Sequence, residues 1–481
     1  MLKSKLKVGL ASLVNASFCG SSENLYRTRY LPEMESLAKK LDFELVGWKD
    51  DVTNDKDAAK VCDLFNKEEV DFILLQCTTF PFGTVILPFA NTRAPLGLWA
   101  IGESSDRGPL PLNSFCGVNM LMSILGQYMD SKRKVKWFYG ETEDPLFLLR
   151  FKTTLGAMRG IKRLRGSRVG LIGGIAPGFT DLSFDERTTM SRLGVSVDRL
   201  PEYGDIKERA LAYKQEELAP VVGEFASSAS CVSCQSDLET TARLYKAIED
   251  FVAEGDYDGV AIGCWPKYRR DFGAVVCSII GRLLEKGVIA ACEGDVDGMV
   301  SMMLLQGVAP VKSVPMLMDL SDLDFNDNSV MFWHCGSGPS SFADSAGMSL
   351  GSHFKPGKKA AGGDATPVGA INDMYFRSVP ATVARFTWEY SHMLLMTGEF
   401  FDKPGNRGFD GSRGWMKDIS IAGKPAGAAD MMNTLLVNRL QHHYAIIPGN
   451  YQNEVMEVMA WLDIAPVELV RHEPYLQTFG R

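Results

Sequence analysis

Residues 70–77, VDFILLQC, form an apolar run interrupted only by Asp71 and Gln76. A strand that is apolar on both faces is one covered by helices on both faces, the habit of parallel sheets. The neighbouring segments agree with that reading. Upstream, LKVGLASLV (6–14) and FELVGW (43–48) have strand length, while YLPEMESLAKKL (30–41) and DKDAAKVCDLFNKEE (55–69) carry helical spacing; downstream, APLGLWAIGE (94–103) is a further strand. The alternation β-α-β-α-β predicts an open parallel sheet. Ligands on such sheets gather where the strands end, which singles out Asn15, Gln76, Thr78 and Glu103, with Gln76 as a candidate substrate contact.

A basic, Gly-punctuated stretch, FKTTLGAMRGIKRLRGSR (151–168), separates this region from a second βα series. That series opens with SRVGLIGG and runs through VSVDRL, the long helix SDLETTARLYKAIEDFVAEG, YDGVAIGCW, FGAVVCSIIGRLLEKG and VIAACEGD. Its glycines lack the G-x-G-x-x-G spacing, and no Lys-Ser/Thr follows, so Gly173, Gly174 and Gly178 read as a tight strand-to-helix turn rather than a phosphate loop. Beyond residue 330, Gly, Ser, Lys and Pro crowd residues 336–370, and VPATVARFTWEY, HMLLMTGEFF and KDISIAG follow at strand length. The expected architecture is α/β: a parallel-sheet βα domain over 1–165, a second over 166–335, and a β-rich domain over 336–481.

Composition bounds the function. With 51 Lys+Arg against 59 Asp+Glu the 481-residue chain carries a net charge of −8, which argues against nucleic acid as a partner. No stretch approaches the roughly 18–20 apolar residues of a membrane span. The first twenty residues, MLKSKLKVGLASLVNASFCG, imitate a secretory signal, but the apolar run stops at Asn15 and Phe18 directly precedes Cys19, so a first strand is expected instead. Ten cysteines, mostly within apolar segments, fit free thiols in a reducing cytoplasm. The single CxxC, Cys231 and Cys234, has no second pair to complete a zinc site and reads as a turn at a helix start.

Acids and histidines concentrate at probable strand ends: Glu293, Asp295 and Asp297 in ACEGDVDG, Asp319, Asp322 and Asp324 in MLMDLSDLDFND, His334 in MFWHCGSGP, and His442 with His443 in QHHYAIIPG. Two carboxylates with one or two imidazoles suit Mn²⁺, Mg²⁺ or Co²⁺. Each residue also has a plainer reading. Glu293 fits a helix N-terminal acid, Asp319 a cap or turn, and His334 a satisfied core histidine. The His442–His443 pair begins a strand, which sends the two rings to opposite faces, one to ligate and one to contact substrate.

Together ACEGDV, the MDL segment, WHCG, HHYAIIPG and the CWP of GCWPKY resemble, in order and spacing from about Val169 onward, the L-fucose isomerase and L-arabinose isomerase superfamily. The resemblance implies a divalent-metal-dependent aldose–ketose isomerase, usually with Mn²⁺, acting on an open-chain sugar through a metal-bound ene-diolate. It implies Glu293 and Asp319 as paired acids that ligate the metal and move the proton, His443 as a shared metal ligand, and His334 as the further ligand of the arabinose branch. It also implies that the domains over 1–165 and 166–335 are Rossmann-like, the second carrying the acid ligands, that the domain over 336–481 is barrel-like and carries the His-His ligand segment, and that the protein is a homo-oligomer with sites between subunits.

The family commonly has an acid after CWP, whereas this chain reads CWPKYRRDFG. Lys267, Arg269 and Arg270, beside Trp265, either face solvent and pair with acids such as Asp271, or receive an anionic group of the substrate. The second reading points to a charged sugar such as sulfoquinovose, a 6-deoxy-6-sulfo-glucose, with Trp265, Lys267, Arg269, Arg270, Gln76 and His442 as substrate contacts. L-fucose, L-arabinose or D-arabinose are the neutral alternatives, and a non-catalytic sugar-binding protein is the alternative of another class.

Overall fold

The VDFILLQC run lies inside a five-stranded sheet. The computed structural model describes residues 4–18, 24–103, 105–128, 134–200, 203–227, 230–231, 235–310, 312–353, 369–404 and 409–478, and the chain divides into two units, Leu2–Lys162 and Arg163–Arg481. In the first unit, strands β1 (Lys7–Leu13), β2 (Glu44–Val52), β3 (Phe72–Cys77), β4 (Leu96–Ala100) and β5 (Val135–Tyr139) pair in parallel in the order β2-β1-β3-β4-β5. All six residues of β3 are buried, as its two apolar faces require. Helices α1 (Leu31–Leu41), α2 (Asp55–Lys67), α3 (Ser114–Tyr128) and α4 (Pro145–Leu164) intervene. Asn54 caps α2 by accepting from the Asp57 amide.

The second unit opens with a parallel sheet in which β6 (Arg168–Ile172), β7 (Ser196–Leu200), β8 (Gly259–Ile262) and β9 (Ile289–Ala291) stand in the order β9-β8-β6-β7. Its helices are α5 (Glu186–Leu193), α6 (Tyr203–Ala212), α7 (Gln215–Ser227), α8 (Gln235–Glu254), α9 (Cys277–Glu285) and α10 (Val296–Val308). Helix α10 is buried along nearly all its length, its polar Asp297 and Ser301 included, the signature of an enclosed helix.

A barrel follows. Strands β10 (Met316–Asp324), β11 (Ser329–His334), β12 (Ser349–Ser352), β13 (Ala370–Tyr375), β14 (Val379–Thr387), β15 (His392–Phe401), β16 (Ser412–Ile421) and β17 (His443–Pro448) form one large mixed sheet. Within it the antiparallel ladder β15-β14-β17-β10-β11-β16 returns from β16 to β15 and closes. Met316, Met318, Val330, Phe332, Val383, Met396, Tyr444 and Ile446 fill its core. Alternation along β10 and β17 therefore turns Asp319 and His443 away from that core, and the two are register partners. Of the CxxC motif, Cys231 belongs to the two-residue strand Ser230–Cys231, which pairs in parallel with β12, whereas Cys234 and residues 354–368 of the Gly-rich stretch lie outside the described residues. Among those described, no helix is long and apolar enough to cross a membrane.

Candidate active site

Beyond β9 the chain turns through Cys292, Glu293 and Gly294 before Asp295 caps α10 by accepting from the Gly298 amide at 2.8 Å. Glu293 and Gly294 both have left-handed backbones, with φ of 61° and 75°. The path is shaped by close backbone approach: a Cβ on Gly294 would lie 2.5 Å from the Gly174 carbonyl oxygen. The loops after β6, β8 and β9 interlock at this point through Gly294 N–H to the Ile262 carbonyl (3.0 Å) and Ala176 N–H to the Glu293 carbonyl (2.9 Å). Gly173 and Gly174, with φ of 74° and 77°, are thus a tight turn packed against its neighbours.

Opposite Glu293 stands the first residue of β17. The His443 Nδ1–H donates to Asp295 Oδ2 at 2.9 Å, and Asp295 is also ion-paired with Arg385, which like it has no exposed side-chain surface. That contact directs the other ring nitrogen, Nε2, toward Glu293 Oε2 and Asp319 Oδ1, each 3.5 Å away. Neither His443 Nε2 nor Asp319 Oδ1 has a hydrogen-bond partner, and both are buried. Burial pushes the Asp319 carboxyl up to about 6, with His443 and His442 opposing that rise. Burial also acts upward on Glu293, but the hydrogen bond with His442 and the surrounding imidazoles hold it below the ordinary carboxylate value.

His442 immediately precedes the strand, so its ring is not sent to the opposite face as the sequence leads one to expect. The two imidazoles lie 4.1 Å apart. His442 reaches Asp181 Oδ2 at 2.7 Å and Glu293 Oε2 at 3.3 Å. Burial disfavours its charge, yet these two acids lift it to about 9, so it is an imidazolium at neutral pH. His334, at the end of β11, is buried, its ring 5.4 Å from that of His443. Its Nε2 is 3.0 Å from Cys292 Sγ, and its Nδ1 accepts the Cys335 amide at 2.8 Å.

The cationic segment follows β8. Cys264, whose buried thiol is pushed up to about 12 by burial and by the Glu293 charge, precedes a cis Trp265–Pro266 bond. Arg270 is exposed and bidentate to Asp271 at 2.6 and 2.9 Å, the surface pair that the plainer reading anticipates. Arg269 differs. Its guanidinium sits 5.8 Å from the centroid of Trp265, and its Nη1 is buried with no hydrogen-bond partner. Lys267 is half-buried, close enough for its charge to help lower the Asp271 carboxyl. Gln76 belongs to the N-terminal unit, fully buried at the end of β3, its Oε1 accepting from Thr78 at 2.9 Å.

The structure therefore brings together Glu293, Asp319, His334, His442 and His443. Asp319 lies within a strand and caps nothing, and the helix-capping acid is Asp295 rather than Glu293. The Asp295–Arg385 pair and Asp181 were not singled out for the site from the sequence; an arginine within the apolar strand VPATVARFT is the mark that betrays the first. Two groups of possible metal ligands have their donor atoms within 4.8 Å of one another, Cys292 with His334 and His443, and Glu293 with His442 and His443. A lone pair on His443 Nε2 aimed at two carboxylate oxygens is repulsive unless a proton or cation lies between them. Two hard oxygens and one imidazole nitrogen fit a divalent cation of the Mn²⁺, Mg²⁺ or Co²⁺ type, with Asp295 orienting the imidazole from behind.

The chain is similar to three bacterial proteins named sulfoquinovose isomerase. Those of Priestia aryabhattai and Priestia megaterium are each 26% identical over 419 residues, covering 86% of this chain and 89% of theirs. That of Alkalicoccus urumqiensis is 26% identical over 405 residues, covering 83% of this chain and 86% of its own. No protein-family model matches the chain.

Proposed function

We propose that this chain is an aldose–ketose isomerase that converts open-chain sulfoquinovose to the corresponding 6-sulfo-ketose, using a divalent cation, Mn²⁺ by expectation, held by Glu293, Asp319 and His443. The observation that carries the reading is the convergence of His443 Nε2 with Glu293 Oε2 and Asp319 Oδ1 at 3.5 Å each; the names of the relatives support the reaction and the sugar. The neutral sugars and the non-catalytic binder are not favoured by either.

A bound divalent cation polarises the sugar carbonyl and acidifies the adjacent C–H. The protein's own groups move the protons. Glu293, held below the ordinary carboxylate value, is ionised and takes the proton from C2. Asp319, whose burial favours the protonated carboxyl, gives a proton to O1, completing an ene-diol. In the second half Asp319 recovers a proton from the O2 hydroxyl while Glu293, once its carboxyl proton has exchanged with solvent, protonates C1, which leaves the ketone at C2 and both carboxyls as they began. Two carboxyls whose environments separate their proton affinities are suited to such a division of labour. Arg269, with an unpartnered buried Nη1 beside Trp265, is the cation best prepared for the sulfonate, since Arg270 is already paired.

The test is turnover of a panel of sulfoquinovose, glucose 6-phosphate, L-fucose, L-arabinose and D-arabinose, followed by NMR in D₂O, before and after chelation with Mn²⁺ add-back. The expected result is a sulfo-ketose carrying deuterium at C1, formed only with metal. Turnover confined to the neutral sugars overturns the substrate, and product without solvent deuterium overturns the proton route through Glu293 and Asp319.

A further inference from the structure

His334 and His443 are two buried imidazoles 5.4 Å apart, and their surroundings impose opposite proton placements. On His443 a carboxylate lies at Nδ1, so that nitrogen carries the proton and Nε2 offers its lone pair. On His334 a backbone amide lies at Nδ1: the Cys335 N–H donates to it at 2.8 Å. An amide can only donate, so Nδ1 must supply the lone pair, and a neutral ring then carries its proton on Nε2. Burial disfavours the doubly protonated, charged form of this ring.

We propose that His334 stands outside the metal's ligand set and presents a neutral Nε2–H as a hydrogen-bond donor to the sugar oxygens at the reacting carbons. This rests on the isomerase reading and assigns His334 a different place from the fourth ligand that the family resemblance implies. Ligation through Nε2 needs a lone pair there and a proton on Nδ1, which would set two donors, Nδ1–H and the Cys335 N–H, head to head. The partner of Nε2 in this structure is Cys292 Sγ at 3.0 Å. Sulfur is a weak hydrogen-bond acceptor. A sugar oxygen is the stronger acceptor and displaces it at little cost. A neutral imidazole also leaves the cradle's charge to the cation, whereas an imidazolium at that position would compete with it.

Histidine ¹⁵N spectra of the wild-type protein, titrated with diamagnetic Mg²⁺, read the proton placement directly, and the spectrum of His334→Gln identifies the His334 signals by their absence. The expected result is a protonated Nε2 and an unprotonated Nδ1 that persist to saturation; migration of the proton to Nδ1 as Mg²⁺ binds overturns the proposal. Mn²⁺ binding followed by EPR should be unchanged in His334→Ala and His334→Gln, and a loss of about tenfold or more in both, the scale of a disrupted metal site, overturns it as well. For turnover, His334→Ala should lower kcat about 10²-fold, the usual effect of deleting one donor to developing charge, while His334→Gln, which keeps an N–H at similar reach, recovers about tenfold of that. Equal losses in the two variants overturn the donor role. A wild type inactive on every sugar overturns the isomerase reading and the sugar contact with it, whereas a ligating His334 in an active wild type overturns this proposal alone.

Discussion

Asp295 and Arg385 form an ion pair with no exposed side-chain surface on either partner, so removing the acid strands a buried guanidinium. Asp295→Ala should cost about 3–5 kcal/mol in urea unfolding and weaken Mn²⁺ binding about 10–100-fold by freeing the His443 ring. Unfolding unchanged from wild type would show that the pair is not formed. His442 gives a pH dependence. A free histidine titrates near 6.5 and this one is lifted to about 9 by Glu293 and Asp181. Its contribution is therefore complete below about pH 6.5 and lost as the pH rises through about 9, so the urea midpoint of the metal-free protein should fall across that window. His442→Gln should flatten the fall, and the same slope in the variant would assign it elsewhere. Among the cations, Arg269→Ala should raise KM for sulfoquinovose about 10–100-fold, the worth of a charged hydrogen bond of about 1.5–3 kcal/mol. Arg270→Ala, whose guanidinium is held by Asp271, should leave KM nearly unchanged. At this scale Glu293, Asp319 and His443 were legible as acids and histidines at strand ends. Asp295 as their organiser was not, because its role depends on Arg385 arriving from β14, ninety residues downstream, and no local pattern reports that meeting.

The loops after β6, β8 and β9 are the elements that place Glu293, and they touch through backbone rather than side chains. Gly294→Ala should be destabilising by about 1–3 kcal/mol, with a parallel loss of Mn²⁺ affinity, because its Cβ would fall 2.5 Å from the Gly174 carbonyl and 2.8 Å from Ile175 Cα. Gly287→Ala, also at positive φ but with open space around it, is the control: it should lower stability through strain alone and leave metal affinity intact. Equal losses of affinity would deny the interlocked loops their part. The strands and helices of this region were readable from apolar runs and helical spacing, since each burial pattern is local. Closure of the barrel was not. The pairing of β15 with β16 and of β10 with β17 is set by long-range register, which strand-length segments such as HMLLMTGEFF do not encode on their own. The reading of His442 and His443 as facing opposite ways failed for a related reason: strict alternation holds within a ladder, and β17 begins only at His443.

Across the whole molecule, a cation that binds only the folded chain stabilises it by mass action. Mn²⁺ at about a hundred times its Kd should add about 2.7 kcal/mol, visible as a rise in Tm, and the Glu293→Gln, Asp319→Asn double variant should show none of it. A rise that survives in the double variant would place the ion elsewhere. The net charge of −8 is a property of the total and says little about the neighbourhood of Arg269, which is why composition argues against a polyanionic partner and leaves a small anion open. The three proposed ligands come from the loop after β9, from β10 and from β17, and His443 is both a barrel strand residue and a partner of the helix cap at Asp295. During synthesis, then, the proposed ligand set is incomplete until residue 443 of 481 has been made and β17 has paired with β10.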